Sequence, residues 1–454
     1  MDGADPHRHA EPEGGTASWP KSGTGPGHGA AEAESRTARP SGWLRFARGN
    51  LSQEQLLRNL EQIVSVLQTA AAGLDQMDSV LQELTVVLGA HWSRRQQLPE
   101  PPEALRGYLA QRFQALDEIV RACKFHGRGL LDGQSGVVGT GKGVVFIRGG
   151  QNTQTAPPGG YEVRITDLPS RAAIIGGVAV SDDWIWAERE IFLAEGDRYV
   201  RCSPTRNEPL HDFLGRLQEQ VRSTGLDLEV GLTRQRRLMV RHTQYGSQFR
   251  FKGSSLTTPL LSKRPGKLEW SRKGRDIQGT LAGEGAFGIG RMLVGFLDNE
   301  CTSELAVVWG ADPPPDGKDY RCAAVQNGIE FQDGDQPDSE RLRFSIPSFQ
   351  TSQLGRWVDT RSGFGALGDV RVESWLQVLD GLYLLLAVQG EVIEWKERVR
   401  SWIERYQNRA AVSLRRGMPV PPAPRSGETE RTSQAERMAN LLREAVHQEK
   451  RVGE

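Results

Sequence analysis

Apolar side chains recur over residues 56–88 in alternating four- and three-residue steps: Leu56, Leu60, Ile63, Leu67, Ala70, Leu74, Met77, Leu81, Leu84 and Leu88. A repeat this sustained keeps one narrow stripe of a helix turned toward a partner, the pattern of a heptad seam. Ser52 and Gln55 have the spacing of a capping box at its start. A second stripe follows Pro101-Pro102: Leu105, Leu109, Phe113, Leu116, Val120 and Cys123. It predicts a helix over 103–124 that stops at Phe125-His126-Gly127, with Cys123 as a packing residue. From about residue 144 the period changes to two. Val144-V-F-I, Tyr161-E-V-R-I, Glu190-I-F-L and Leu238-M-V-R read as strands between Gly and Pro turns. One short helix interrupts them, marked by Leu210, Phe213, Leu214, Leu217 and Val221 and ended near Gly225. Helical spacing returns over 371–414, where Leu385, Val388, Val392, Trp395, Val399, Trp402 and Tyr406 form another seam.

Seams at both ends of the chain with β-rich sequence between them predict an α+β fold. Its main feature would be a long antiparallel coiled-coil-like helical rod formed by the N- and C-terminal segments, with β-rich and α+β insert domains projecting from the middle. The expected divisions are a disordered tail at 1–48, N-terminal rod helices at 49–135 and an α+β insert at 136–255. A β-rich insert at 256–365 follows, with turns at Asp312-PPPDG and Asp333-GD. Then come a C-terminal rod helix at 366–416, a Pro-rich linker at 417–432 and a short C-terminal helix at 433–454. Both tail and linker are too poor in large apolar groups to offset the entropy of ordering.

Composition narrows the function. The 454 residues carry 57 basic and 57 acidic side chains, so there is no basic excess of the kind that nucleic-acid binding uses. No apolar run reaches about 18 residues, so no membrane span is expected. The N-terminus has no apolar region of a cleaved secretion signal, which leaves residence in the cytoplasm or export without one. Cys123, Cys202, Cys301 and Cys322 lie far apart with no CxxC pair, which argues for idle thiols over a zinc site and leaves any disulfide pairing open.

Two glycine-rich stretches resemble nucleotide-binding loops. Gly136-VVGT-Gly141-Lys142 has GxxxxGK spacing, but a helix precedes it, a strand follows it, and Gly143 stands where a magnesium-binding hydroxyl is needed. Gly283-E-Gly285-AF-Gly288 matches GxGxxG, yet no strand lysine, HRD or DFG follows and further glycines interrupt any helix. The first reads as a flexible exit, a hinge between the rod and the first β insert, and the second as a Gly-rich β-turn region. The eight histidines show no ligand or triad spacing. No catalytic, cofactor or metal residue is expected, and the chain is not expected to be an enzyme.

Several phrases, in order along the chain, resemble bacterial flagellin. LEQIVSVLQTAAAGLDQMDSVLQELTVVL (60–88) looks like the family's long inner helix, and LDEIVRACKFHGRGLLD (116–132) is similar to its phrase IDxIAxxTxFNGxxLL, with His126 in place of the usual Asn. Residues 327–347 resemble its LxFQIGAN segment and Leu354-Gly355 its LG. Residues 371–414 are similar to its C-terminal helix, with Gln407-Asn408-Arg409 as its QNR, and 435–448 to its last helix. Tyr161–Phe251 is similar to a hook-type insertion motif of larger flagellins and of the filament cap protein, and 276–294 to a phrase of the same group.

The resemblance implies a structural subunit of the flagellar filament, exported without a cleaved signal to the extracellular flagellum, or cytoplasmic if export is lost. Its implied partners are other flagellin subunits, with an export chaperone, hook-associated or cap proteins beside them. No cofactor, nucleic acid or membrane is implied. The residues it assigns to packing and assembly are Leu60, Ile63, Leu67, Leu74, Met77, Leu81, Leu84, Leu88, Phe113, Leu116, Phe125, Val392, Trp395, Val399, Trp402, Tyr406, Asn408 and Arg409. Burying one such Leu contributes roughly 1.5–3 kcal/mol, so a charge at Leu67 or Leu74 is expected to damage the rod. Residues 1–50 hold no counterpart of the family's first helix. That motivates an alternative, a non-polymerising interaction protein that binds a flagellar partner.

Overall fold

The computed structural model describes residues 53–181, 190–256, 260–264, 266–310, 320–332 and 341–416. The chain divides into Met1–Ser41 and Gly42–Glu454, and every described residue belongs to the second unit. The tail expected at 1–48, Ser52 of the capping box, the turns expected at Asp312 and Asp333, the linker at 417–432 and the helix at 433–454 lie outside the described residues.

The first apolar stripe forms α1 (Gln53–Ser93), and the second forms α2 (Glu103–Ala122). A small hairpin follows, β1 (Lys124–Phe125) with β2 (Arg128–Gly129). Then come β3 (Val137–Lys142), β4 (Val144–Arg148), β5 (Tyr161–Asp167) and β6 (Arg171–Ala179). After β7 (Ile191–Glu195) and β8 (Arg198–Cys202), α3 (Leu210–Ser223) turns its stripe inward. The chain continues through β9 (Leu228–Leu232), β10 (Arg237–Tyr245), β11 (Lys252–Ser255) and β12 (Glu269–Trp270). The next strands are β13 (Gln278–Leu281), β14 (Glu284–Ile289), β15 (Met292–Gly295) and β16 (Ala306–Trp309). Last come β17 (Tyr320–Gln326), β18 (Ile329–Gln332), β19 (Arg341–Phe344) and the final helix α4 (Trp375–Arg416).

Among the described residues, one small cluster of Met292, Val294, Ala306 and Val308 and three larger cores organise these elements. Eight antiparallel strands in the order β3-β17-β5-β13-β14-β15-β16-β4 enclose one around Val163, Leu281, Leu293 and Cys322. The two end strands are consecutive in sequence, meet at Gly143 and pack on each other, so the sheet curls nearly into a barrel. This sheet draws strands from both sides of residue 255. A second core lies between α3, the three-stranded sheet β6-β10-β9 and the four-stranded sheet β12-β11-β7-β8. The third holds α1, α2 and α4 with Ile329 and residues between 344 and 372.

The expected fold class is corrected here. A long coiled-coil-like helical rod does not define the architecture: the described residues hold four helices against a large, nearly barrel-shaped antiparallel sheet and several smaller ones. A heptad stripe states that one face of a helix is buried, and it does not state by what. The stripes of α1 and α4 share a core with α2 and with Phe344, Ile346, Phe349, Leu354 and Leu367 from the segment leading into α4. α1 and α4 pack on each other, and that segment with α2 covers the rest of their apolar surface. α4 is apolar and long enough to cross a bilayer by composition, but 72% of its most apolar window is buried inside the protein.

Both glycine-rich stretches are β-structure, so the first is a paired strand where a flexible hinge was expected. Val137–Lys142 pairs residue by residue with β17, and a Cβ on Gly141 would come within 2.0 Å of the Val144 carbonyl oxygen. Glycine is there so that adjacent strands can approach. In the second stretch Ala282 (φ 52°) and Gly283 (φ 79°) form the two-residue turn between β13 and β14, the left-handed pair that a tight hairpin requires.

Candidate functional site

Three of the phrases that resemble flagellin, at 116–132, at 327–347 and in α4, are far apart in sequence and have described residues that meet at one junction. It begins at the β1–β2 hairpin, whose two-residue loop His126-Gly127 has φ values of 48° and 81°. Such a turn favours Asn or Asp followed by Gly, and His is among the few other residues that tolerate the first position. The Leu131 carbonyl accepts from the Phe349 amide at 2.7 Å, and Asp132 bridges Ser348. The Ser135 carbonyl accepts from the Ile346 amide at 2.9 Å, and the Gly136 carbonyl from the Asn327 amide at 3.0 Å. The Arg128 guanidinium donates to the Asn327 carbonyl and, at 2.8 Å, to that of Gln134. A Cβ on Gly136 would lie 2.1 Å from the Ile346 carbonyl oxygen, so the two segments touch backbone to backbone.

Asp117 on α2 completes the clasp. Its carboxylate accepts from the Thr351 amide at 2.8 Å and from the Thr351 hydroxyl at 2.9 Å. Beneath it, Phe349 packs edge-on against Trp395, and Phe344 lies 5.0 Å from Trp402 and 5.4 Å from Tyr406, centre to centre. Aromatic pairs at such separations stabilise beyond the area they bury. Residues 116–136, 327–332, 341–349 and 395–406 therefore form one structural unit.

The residues singled out for packing fall as follows. Leu60, Ile63, Leu67, Leu74, Met77, Leu81, Leu84, Leu88, Phe113, Leu116, Val392, Trp395, Val399, Trp402 and Tyr406 are buried in the helical core, and Phe125 packs on its margin. Asn408 is exposed and Arg409 half-buried. α1 and α4 run antiparallel, with Lys396 2.9 Å from Asp75 and 2.5 Å from Asp78, and Leu88 beside Gly381. Asp117 and Thr351 were not singled out, because a lone surface carboxylate on a helix carries no sign of a partner 234 residues away.

A second polar cluster, also missed, joins the second core to α4. His242 is 1% exposed, and its Nδ1 accepts from the Gln244 amide at 2.9 Å. The proton therefore sits on Nε2, which donates to Glu195 at 2.8 Å. Burial pushes the Glu195 carboxyl up, but the His242 bond and the Asp227 amide outweigh it and leave it below the ordinary carboxylate value. Burial holds Asp227 above its ordinary value despite the Arg361 guanidinium 3.3 Å away. Arg361 also donates to Asp380 of α4 at 2.9 Å, and Asp380 accepts from the Ser362 amide and hydroxyl at 2.6 and 2.7 Å. Both imidazole nitrogens are engaged, so this ring has none left to take a proton from a substrate or to ligate a metal. Asp380 and Glu391 are the carboxylates within α4's apolar stretch, and that misplacement is the one sequence signal that marked this side of the helix.

Cys123, Cys202, Cys301 and Cys322 are free, and burial pushes the thiols of Cys123 and Cys322 up to about 11 and 12. Among the described residues no group of three or more His, Cys, Asp or Glu is arranged to hold a metal.

No protein-family model and no curated protein matches the sequence. Part of the chain is similar to the solved D1-D2-D3 domains of the flagellar cap protein FliD from Escherichia coli, at 9% identity and a TM-score of 0.28. That match covers 56% of this chain and 63% of the other, so the chain spans under two thirds of it. The D2-D3 domains of the same protein match at 11% identity and a TM-score of 0.28, over 42% and 99% of the two chains. Flagellar hook-associated protein-3 from Legionella pneumophila matches at 12% identity and a TM-score of 0.19, over 80% and 95%. These are distant likenesses to flagellar cap and hook-associated proteins, and at such scores they carry no functional weight.

Proposed function

We propose that this chain is a structural subunit of a bacterial flagellar assembly, flagellin-like in its ends, exported without a cleaved signal, and acting by packing with no catalysis. One observation supports the reading most. Separate phrases that resemble flagellin, at 116–132, in 327–332 with 341–347, and within α4, converge on a single junction tied by Asp117–Thr351, Leu131–Phe349 and the Phe344, Trp395 and Trp402 rings. Phrases matched by chance have no reason to meet in space. Partners on this reading are flagellar subunits, including hook-associated or cap proteins.

The test is location and assembly. The protein is expected in filaments sheared from the cells that make it, and the purified full chain is expected to join filaments of the same cell's flagellin under electron microscopy. A protein that stays monomeric, is absent from sheared filaments and remains in the cell would refute the reading. The same result accompanied by pull-down of a soluble partner would favour an interaction protein instead.

A further inference from the structure

The four-stranded sheet β12-β11-β7-β8 has two unlike faces. Ile191, Leu193, Val200 and Cys202 point inward onto α3 and are buried. On the other face, directly paired residues run Trp270, Lys252, Ala194 and Tyr199 across the four strands. Paired residues in a sheet share a face, so this row looks outward, and Trp270 is 55% and Tyr199 60% exposed. Phe192 stacks on Tyr199 at 5.5 Å between ring centres. Three strand spacings separate Trp270 from Tyr199, about 14 Å, so the face offers two flat aromatic platforms rather than one isolated ring.

Cations surround the first platform. The Arg250 guanidinium and the Lys252 ammonium each lie 4.6 Å from the centre of the Trp270 ring. Among the described residues neither has a carboxylate partner, and the buried Nε of Arg250 has no acceptor. Arg201 on the same face is by contrast paired with Glu190. The patch thus has exposed rings and positive charge that nothing in the described protein neutralises.

We propose that this face binds an acidic polysaccharide, one whose sugars carry carboxylates. The pyranose rings would lie with their apolar C–H faces on Trp270 and Tyr199, and the carboxylates would meet Arg250 and Lys252. An acidic peptide would gain main-chain pairing at the end strands β12 and β8, but pairing there leaves the rings and cations of the outward face uncovered. Single-stranded nucleic acid also stacks on aromatic rings, but its affinity comes from neutralising many phosphates. Two unpaired cations in a chain with 57 residues of each sign supply little of that. The proposal stands independently of the assembly reading.

The test is calorimetric titration of the full chain with oligogalacturonate, with neutral dextran, polyglutamate and a single-stranded DNA oligomer in parallel. Oligogalacturonate is expected to bind, weakening as salt rises, and dextran at least tenfold more weakly. Trp270→Ala is expected to cost at least tenfold in affinity, Trp270→Phe less, and Arg250→Gln with Lys252→Gln together at least tenfold. Trp270 is exposed and Arg250 and Lys252 are half-buried, and an unchanged circular dichroism melt shows that the fold is retained. Absence of oligogalacturonate binding, binding unaffected by Trp270→Ala in a folded variant, or equal or tighter binding of polyglutamate or DNA would overturn the proposal.

Discussion

Glu208, just before α3, shows how one residue can hold a helix start. Its carboxylate takes a two-pronged bond from Arg216, at 2.9 and 2.7 Å, and accepts from the Thr205 amide at 2.8 Å. The Arg216 bonds chiefly, helped by Thr205 and opposed by some burial, hold it down at about 2 from an ordinary 4.5. A carboxyl lowered on folding adds stability above its unfolded value and loses it as pH falls through the folded one. Glu208→Gln is therefore expected to cost about 1 kcal/mol at neutral pH, allowing for solvent around the pair. The gap between the urea midpoints of variant and parent should close as pH drops from 4.5 toward 2. A gap constant over that range would refute the assignment.

Among the elements, the β1–β2 hairpin shows local backbone chemistry setting long-range contact. Its loop residues sit in the left-handed region, so the turn type is decided by His126-Gly127 alone. The turn aims the following segment at residues 345–351, where Leu131 and Ser135 receive their partners. His126→Asn is expected to stabilise by about 0.5 kcal/mol, the low end for a favourable turn substitution. His126→Val should cost about 1–2 kcal/mol, because a branched side chain resists this conformation. Thermal melts of both variants check the order, and a Val variant as stable as the Asn one would refute it. The sequence pattern made the helices and most strands legible, since alternation and the 3.6-residue period are local. It could not show that Gly136-VVGTG belongs beside residues 320–326, because strand pairing at that distance leaves no local trace.

At the scale of the whole molecule, polar contacts fasten the helical layer to the β-rich part, beside the Trp357 ring that packs on both. Glu391 of α4 faces Arg148 at 3.6 Å and accepts from the Trp357 indole at 3.2 Å, and Arg398 donates to Glu304 at 2.9 Å. Asp380 reaches the second core through Arg361 and Asp227. Cutting one partner from a buried charged group leaves the rest uncompensated and costs about 3–5 kcal/mol. Asp380→Ala is expected to lose about that much stability. Hydrogen exchange should quicken in β9, β10 and residues 359–364 more than in the eight-stranded sheet. Uniform quickening everywhere would show instead that the cluster does not couple particular parts.

The order of residues alone determined which faces would be buried. The stripe Leu60–Leu88, the alternation of Val144–Ile147 and the left-handed turn at His126-Gly127 are each properties of a few neighbouring residues. The tertiary structure alone decided what covers those faces. The α1 and α4 stripes face a mixed core that includes Phe344 and Phe349, where a free-standing rod had been expected. Asp117 with Thr351 and His242 with Glu195 likewise became partners only on folding. Burial of apolar surface is non-directional, so a stripe specifies that it must be covered but not by which partner. Hydrogen-bond partners are directional, but they come together only after the chain has closed its long loops.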